Sequence, residues 1–93
     1  MEQVYLIISG IVQGVFYRAS CQKVAVGLNL KGWVRNLPTG EVELLVQGEK
    51  ANLQDFIEWC KKGPTYAKVS DVKIEWQNCL EKFETFVKNM KVA

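Results

Sequence analysis

The chain has 93 residues, 48% of them hydrophobic and 24% charged, and a formal net charge of +2. A chain of this length supports one hydrophobic core, so we expect a single domain over residues 1–93 that folds without a metal or a disulfide. Its 12 Lys and Arg residues are spread along the chain and form no basic tail or stripe. This distribution argues against nucleic acid or a membrane surface as an obligatory partner.

The absence of histidine excludes several kinds of enzyme. A Ser-His-Asp triad, a Cys-His nucleophile pair and a histidine-ligated metal are all impossible. The cysteines, Cys21, Cys60 and Cys79, lie far apart and form no C-x-x-C pair, so we expect neither a disulfide framework nor a zinc site. Chemistry in this chain must use arginine, lysine, amides, carboxylates, backbone N–H groups or the substrate itself.

The sequence also predicts a cytoplasmic location. No apolar run approaches the roughly 20 residues that span a bilayer. The N-terminus lacks the basic start, the long apolar stretch and the small-residue cleavage site of a secretory signal.

The first half of the chain predicts a strand, a helix and a hairpin. Residues 4–9 form an apolar run of strand length that ends at Gly10, with Leu6 and Ile8 on one face. Residues 18–28 form a helix that ends at Asn29, because Asn readily adopts the left-handed conformation. The apolar face of this helix comprises Cys21, Val24, Ala25 and Leu28.

The hairpin follows that helix directly. Its strands are residues 30–36 and 41–47, and the turn between them contains Pro38 and Gly40. A second helix is predicted from the helical spacing of Leu53, Phe56, Ile57 and Cys60.

Gly63-Pro64 ends this second helix. Residues 69–76 form a further strand with Val72, Ile74 and Trp76 on one side, and residues 83–88 could form one more. This order of elements is the split βαβ pattern. The predicted fold is therefore α+β, a ferredoxin-like sandwich with an antiparallel sheet and two helices on one face.

The segment from Gly10 to Arg18 has the features of a phosphate cradle. It joins a strand to a helix start, where backbone N–H groups are unpaired and the helix dipole is positive. Gly10 and Gly14 permit close approach of an anion, and the Arg18 guanidinium pairs bidentately with phosphate. The pattern is neither a Walker loop nor a dinucleotide fingerprint. The alternative is that the glycines only turn the chain and Arg18 is a solvated helix residue.

Asn36 stands at the mouth of the hairpin, where its amide offers both a donor and an acceptor. It could hold a water molecule with its carbonyl while its NH₂ touches an anionic oxygen. Taken alone, an Asn before a turn is more often turn chemistry than a functional residue.

Together the two segments resemble the acylphosphatase family, whose signatures are G-x-V-Q-G-V-x-F/Y-R and G-aromatic-V-R-N-x-x-x-G-x-V, then five residues and Gly. The likeness extends over nearly the whole chain and is weakest after Gln77. Every fixed position is matched, by Gly10, Val12, Gln13, Gly14, Val15, Tyr17 and Arg18 in the first signature and by Gly32, Trp33, Val34, Arg35, Asn36, Gly40, Val42 and Gly48 in the second.

The resemblance implies hydrolysis of small acyl phosphates to a carboxylate and inorganic phosphate, without metal or cofactor. Arg18 would bind the phosphoryl group, and Asn36 would position the attacking water. A monomer is expected. The phosphate would be surrounded by Arg18 and the backbone amides of Gln13, Gly14, Val15, Phe16 and Tyr17.

Four other kinds of protein share part of this pattern. An RNA-recognition module has the same element order, and Lys31-Gly32-Trp33-Val34 faintly resembles its third-strand motif, but the further aromatics needed to stack bases are missing. A metal-carrying ferredoxin-like domain lacks its C-x-x-C, and a small-molecule sensor would not need the phosphate loop. The loop also occurs inside larger carbamoyl-transfer proteins. A chain that starts at Met1 and ends soon after its last strand is expected to be the free-standing enzyme.

Overall fold

The computed structural model describes residues 1–88, and its elements follow the predicted order. Both helices lie where the apolar spacing predicts them, and Asn29 has the expected left-handed backbone, with φ 58°. The elements are β1 (Glu2–Ile11), α1 (Tyr17–Gly27), β2 (Lys31–Asn36), β3 (Val42–Gly48), α2 (Lys50–Lys62), β4 (Lys68–Gln77) and β5 (Phe86–Lys88).

The five strands form one sheet in the order β4-β1-β3-β2-β5. The predicted α+β ferredoxin-like fold is confirmed, with one change. The four longer strands pair antiparallel, but β5 pairs parallel with β2, so the sheet is mixed. The reason is geometric, because β4 ends at the end of the sheet where β2 begins. The segment that leaves β4 there crosses to the opposite edge of the sheet, and β5 must then run in the same direction as β2.

Residues 78–85 make this crossing, and a buried glutamine holds them. Gln47 is 0% exposed. Its Nε2 donates to Gln3 Oε1 at 2.8 Å and to the Glu81 carbonyl, and its Oε1 accepts from the Phe83 N–H at 3.0 Å. Since Phe83 lies on the crossing, the last strand begins only at Phe86 and is shorter than predicted.

One face of the sheet carries the core. Leu6 and Ile8 share this face, as the alternation predicts, and both are fully buried. Ile74 and Trp76 pair with residues of β1 that point to the same side, but they are 41% and 43% exposed because β4 is an edge strand. The buried hydrophobic residues of the strands are Val4, Leu6, Ile8, Val34, Val42, Leu44, Val46 and Phe86, and those of the helices are Tyr17, Cys21, Ala25, Leu53, Phe56, Ile57 and Cys60.

The opposite face of the sheet carries a polar cluster and is covered by neither α1 nor α2. The Tyr5 hydroxyl donates to Glu43, and Arg35 Nε donates to the other oxygen of the same carboxylate. The Arg35 guanidinium also lies 5.1 Å from the centroid of the Trp33 ring. Burial, followed by the bond to Glu43, raises the pKa of Tyr5 to about 12. Arg35 is thus engaged on the face away from α1.

Candidate active site

The loop between β1 and α1 has the backbone geometry of an anion nest. Gly14 has φ 74° and Phe16 has φ 64°, so two left-handed residues flank Val15. Alternation of right- and left-handed residues turns successive N–H groups toward one concave side. The helix starts at Tyr17 with no side-chain cap and no acidic residue in its first turn. Its first N–H groups and its positive dipole end are therefore available to an anion.

The two glycines of the loop have different roles. A Cβ on Gly10 would lie 2.1 Å from the Lys68 carbonyl oxygen, and the pairing of β1 with β4 is irregular between Ser9 and Gly10. Glycine at position 10 therefore lets β1 and β4 come close together. This is a structural role, as in the alternative that gave the loop glycines no part in binding phosphate. A Cβ on Gly14 would meet nothing within 4 Å, so only its positive φ favours glycine.

Tyr17 anchors the loop to the core. It is 1% exposed, and its hydroxyl donates to the Cys60 carbonyl oxygen at 2.7 Å. That carbonyl lies in the last turn of α2, where helix carbonyls lack intrahelical partners. The Tyr17 ring also lies against Trp59, with 5.5 Å between ring centroids. The start of α1, and with it Arg18, is thereby held against the end of α2.

A cavity of about 230 Å³ opens beside the loop and contains two cationic side chains. Arg18 reaches it from the first turn of α1, and Lys88 reaches it from the end of β5. No carboxylate of residues 1–88 lines it, so the cavity favours anions. Lys88 was not identified from the sequence, because only the parallel pairing of β5 with β2 brings it here. The lining residues are Val12, Gly14, Phe16, Tyr17, Arg18, Ala19 and Lys88.

The side chain of Gln13 joins the loop to the β2–β3 hairpin. Its Nε2 donates to the Leu37 carbonyl oxygen at 2.8 Å and to the Glu41 carbonyl oxygen at 2.9 Å. Both amide hydrogens are used, and both acceptors lie at the mouth of the hairpin. The sequence pointed to the backbone amide of Gln13, whereas this side-chain role requires knowing that the hairpin lies beside the loop.

Asn36 is the last residue of β2 and pairs with Val42. It does not line the cavity with Arg18, but it stands on the hairpin mouth that Gln13 binds. Its Oδ1 is buried and has no hydrogen-bond partner among residues 1–88. Leaving such an acceptor unpaired costs about 1–3 kcal/mol, which indicates a position suited to an external donor.

Neighbouring ionisable groups are engaged elsewhere. Hydrogen bonds from Ser9 (2.8 Å) and Thr39 (2.9 Å) lower the pKa of Glu41 and hold its carboxylate ionised. Burial raises the pKa of the Cys21 thiol well above its usual range, so this thiol is a packing group and a poor nucleophile. Within residues 1–88, no cluster of three or more His, Cys, Asp or Glu could hold a metal ion. In the same range, no helix is long and apolar enough to cross a bilayer.

The fold and the cavity define the class of protein. It is an α+β sandwich of ferredoxin-like type in which a cavity beside the β1–α1 junction is lined by two cationic side chains and the start of α1.

Comparison with known proteins identifies the family within this class. The family model described as Acylphosphatase matches residues 4–88. An acylphosphatase of Methylococcus capsulatus is 40% identical over 86 residues, which are 92% of this chain and 94% of that protein. The chain belongs to the acylphosphatase family, whose members hydrolyse acyl phosphates. The enzyme class inferred from the two signatures is confirmed.

Solved structures support the same conclusion. The crystal structure of acylphosphatase from Bacillus subtilis superposes with a TM-score of 0.93 at 37% identity and covers 97% of this chain and 100% of that chain. Full-length HypF in its phosphate- and nucleotide-bound form gives a TM-score of 0.84 at 29% identity, covering 95% of this chain but only 12% of that chain. The fold thus also occurs as a small part of a much longer protein. Family membership favours the hydrolase over an RNA-binding module.

Proposed function

We propose that this chain cleaves the carboxyl-phosphate bond of acyl phosphates at the β1–α1 loop, without a metal ion. In this proposal the backbone amides from Gln13 to Tyr17 and the Arg18 guanidinium bind the phosphoryl group, and Asn36 positions the water. The observation that carries it is the Gln13 amide, which bonds the anion nest to the hairpin mouth that presents Asn36.

Binding of the phosphoryl group follows from charge. An acyl phosphate is a dianion at neutral pH, and its transition state spreads negative charge over the equatorial oxygens. The Arg18 fork pairs with two of these oxygens, and the nest and helix start donate N–H groups to the same charge. Lys88, on the wall of the same cavity, supplies a second positive charge. These preorganised donors do the work that metal ions do in kinases.

The water is assigned to Asn36 because of its unpaired acceptor. The buried Oδ1 accepts a hydrogen from water, which turns an oxygen lone pair toward phosphorus. The amide NH₂ donates to a phosphoryl oxygen and keeps water and phosphate in register.

The remaining steps need no protein acid or base. Attack on phosphorus forms the new P–O bond while the P–O bond to the acyl group breaks. The leaving group is a carboxylate, which requires no protonation. The proton of the attacking water passes to a phosphoryl oxygen, and inorganic phosphate results. Neither a histidine nor a free carboxylate is required, in agreement with the composition.

We also propose that residues 1–93 form a single domain that acts as a cytoplasmic monomer. Every described element contributes to one sheet or to the two helices that pack on it. The substrate is a small molecule in this proposal, because the cavity of about 230 Å³ has room for a phosphoryl group with a small acyl group.

The test is hydrolysis of benzoyl phosphate by the purified protein in excess EDTA. Arg18→Ala and Asn36→Ala should each lower kcat by about 10²–10³, the loss expected for one preorganised donor. Arg18→Ala should also weaken competitive inhibition by inorganic phosphate, while Asn36→Ala should change it much less. Asn52→Ala, on α2, is the matched control and should retain full turnover.

Three results would contradict the proposal. Turnover that disappears in EDTA and returns with Mg²⁺ would refute metal independence. Near-normal turnover in either the Arg18 or the Asn36 variant would refute that residue's role. A folded wild-type protein that binds phosphate but hydrolyses no acyl phosphate would indicate a binding function for the loop.

A further inference from the structure

Phe16 combines a strained backbone with high exposure to solvent, which is unusual for a large apolar residue. Its backbone is left-handed, with φ 64°, a conformation that is strained for a bulky side chain. The residue is nevertheless 77% exposed, so little apolar burial offsets the strain. The fold does not account for an aromatic ring at this position.

The backbone and the ring of Phe16 have separate explanations. The left-handed conformation is required by the nest, where Phe16 alternates with Val15 and also precedes the first residue of α1. Glycine or asparagine would adopt it at lower cost. The nest therefore explains the φ value but not the choice of phenylalanine.

Phe16 belongs to the wall of the proposed phosphate site. Phe16 lines the cavity together with Gly14 and Arg18. Its neighbour Tyr17 points the other way, into the core, with its hydroxyl on Cys60. A phosphoryl group held by the nest has protein on its inner side, so its acyl substituent must point outward along the cavity wall that Phe16 forms.

We propose that the Phe16 ring is the acyl-group contact and sets a preference for acyl phosphates with an aromatic or bulky apolar acyl group over acetyl phosphate. This proposal rests on the proposed function of the loop. Offset or edge-to-face packing of two rings stabilises by more than their buried area alone. An acetyl group offers only one methyl to the same surface. The expected preference is on the order of tenfold in kcat/KM.

The preference should appear mainly in KM. The acyl group keeps its contact with the ring from the bound substrate to the transition state, and such uniform binding lowers KM without raising kcat. The Arg18 and Asn36 contacts are expected to act on kcat, so the two contributions can be measured separately.

The experiment compares wild type with Phe16→Gly and Phe16→Asn on benzoyl phosphate and acetyl phosphate. Both replacements accept a left-handed backbone and remove the ring. The ratio of kcat/KM for benzoyl phosphate to that for acetyl phosphate should fall about tenfold in both. Inorganic phosphate has no acyl group, so its inhibition constant measures binding to the nest alone. Phe16→Leu should give an intermediate ratio.

Leu80→Ala is the matched control. Leu80 is 93% exposed and lines a different cavity at the opposite end of β1, so its loss should leave the ratio unchanged. A ratio that stays at the wild-type value in both Phe16 variants would overturn the proposal, whatever happens to the absolute rates. A wild-type enzyme that hydrolyses neither substrate would instead refute the proposed function, and the acyl contact with it. Wild-type turnover with an unaltered ratio would refute the acyl contact alone.

Discussion

Gln13 offers the sharpest test of how the two halves of the site are held together. Gln13→Met keeps the length of the side chain and removes both donors. The lost bonds are those to the Leu37 and Glu41 carbonyl oxygens. Each carbonyl keeps a second partner, because the Leu37 N–H donates to Glu41 O at 2.8 Å and the Gly40 N–H donates to Leu37 O at 3.1 Å.

The expected loss of stability follows from the hydrogen bonds that these two carbonyls keep. Two hydrogen bonds contribute about 0.5–1.5 kcal/mol each, and neither acceptor is left unpaired. The free energy of unfolding should therefore fall by about 1–3 kcal/mol, without the further cost of an orphaned acceptor. The effect on rate should exceed the effect on stability. Displacement of Asn36 from the loop by about 1 Å can cost on the order of 10² in kcat.

Gln13→Glu tests the same contacts through the pH dependence of stability. The introduced carboxylate has no donor and faces two carbonyl oxygens, which raises its pKa in the folded protein. A raised folded pKa means that the introduced carboxyl group costs least stability below its unfolded pKa of about 4.3 and lowers the stability as the pH rises above that value. It should be less stable than Gln13→Met at pH 7 and approach it near pH 4.

The assay combines urea unfolding followed by tryptophan fluorescence with kcat and KM on benzoyl phosphate. Gln54→Met, on the exposed surface of α2, is the control and should change neither. The reasoning is refuted if Gln13→Met unfolds at the wild-type urea concentration and retains wild-type kcat. It is also refuted if the difference in stability between Gln13→Glu and Gln13→Met is the same at pH 4 and pH 7.

Two further predictions concern the anchor and the second cation. Tyr17→Phe removes the bond to the Cys60 carbonyl and leaves that carbonyl without this partner, so the free energy of unfolding should fall by about 1–3 kcal/mol. Urea denaturation measures this loss, and an unchanged midpoint would contradict the anchoring role. Lys88→Gln should raise KM and the inhibition constant for phosphate by about three- to tenfold at low ionic strength and by less in high salt, because salt screens exposed charges. Lys82→Gln, outside the cavity, should change neither KM nor the inhibition constant for phosphate. Equal effects of the two variants would exclude a local role for Lys88.

The sequence by itself determined the features that depend on neighbouring residues. Asn29 ends α1 and Gly63 ends α2, because positive φ values are local preferences of these residue types. The loop before α1 and the position of Arg18 in its first turn follow from the same kind of signal. Hydrophobic spacing alone predicted both helices and the buried pair Leu6 and Ile8, because periodicity is a property of a single element.

Only the tertiary structure decided what depends on residues far apart in the chain. Gln13 meets the hairpin 24 and 28 residues away, and no local pattern encodes that contact. Lys88 enters the cavity because β4 and β5 occupy opposite edges of the sheet, so the crossing between them sets the direction of β5. The glycine at position 10 is needed because the Lys68 carbonyl lies against it. Strand order and register decide all three, and both arise from packing of the whole chain.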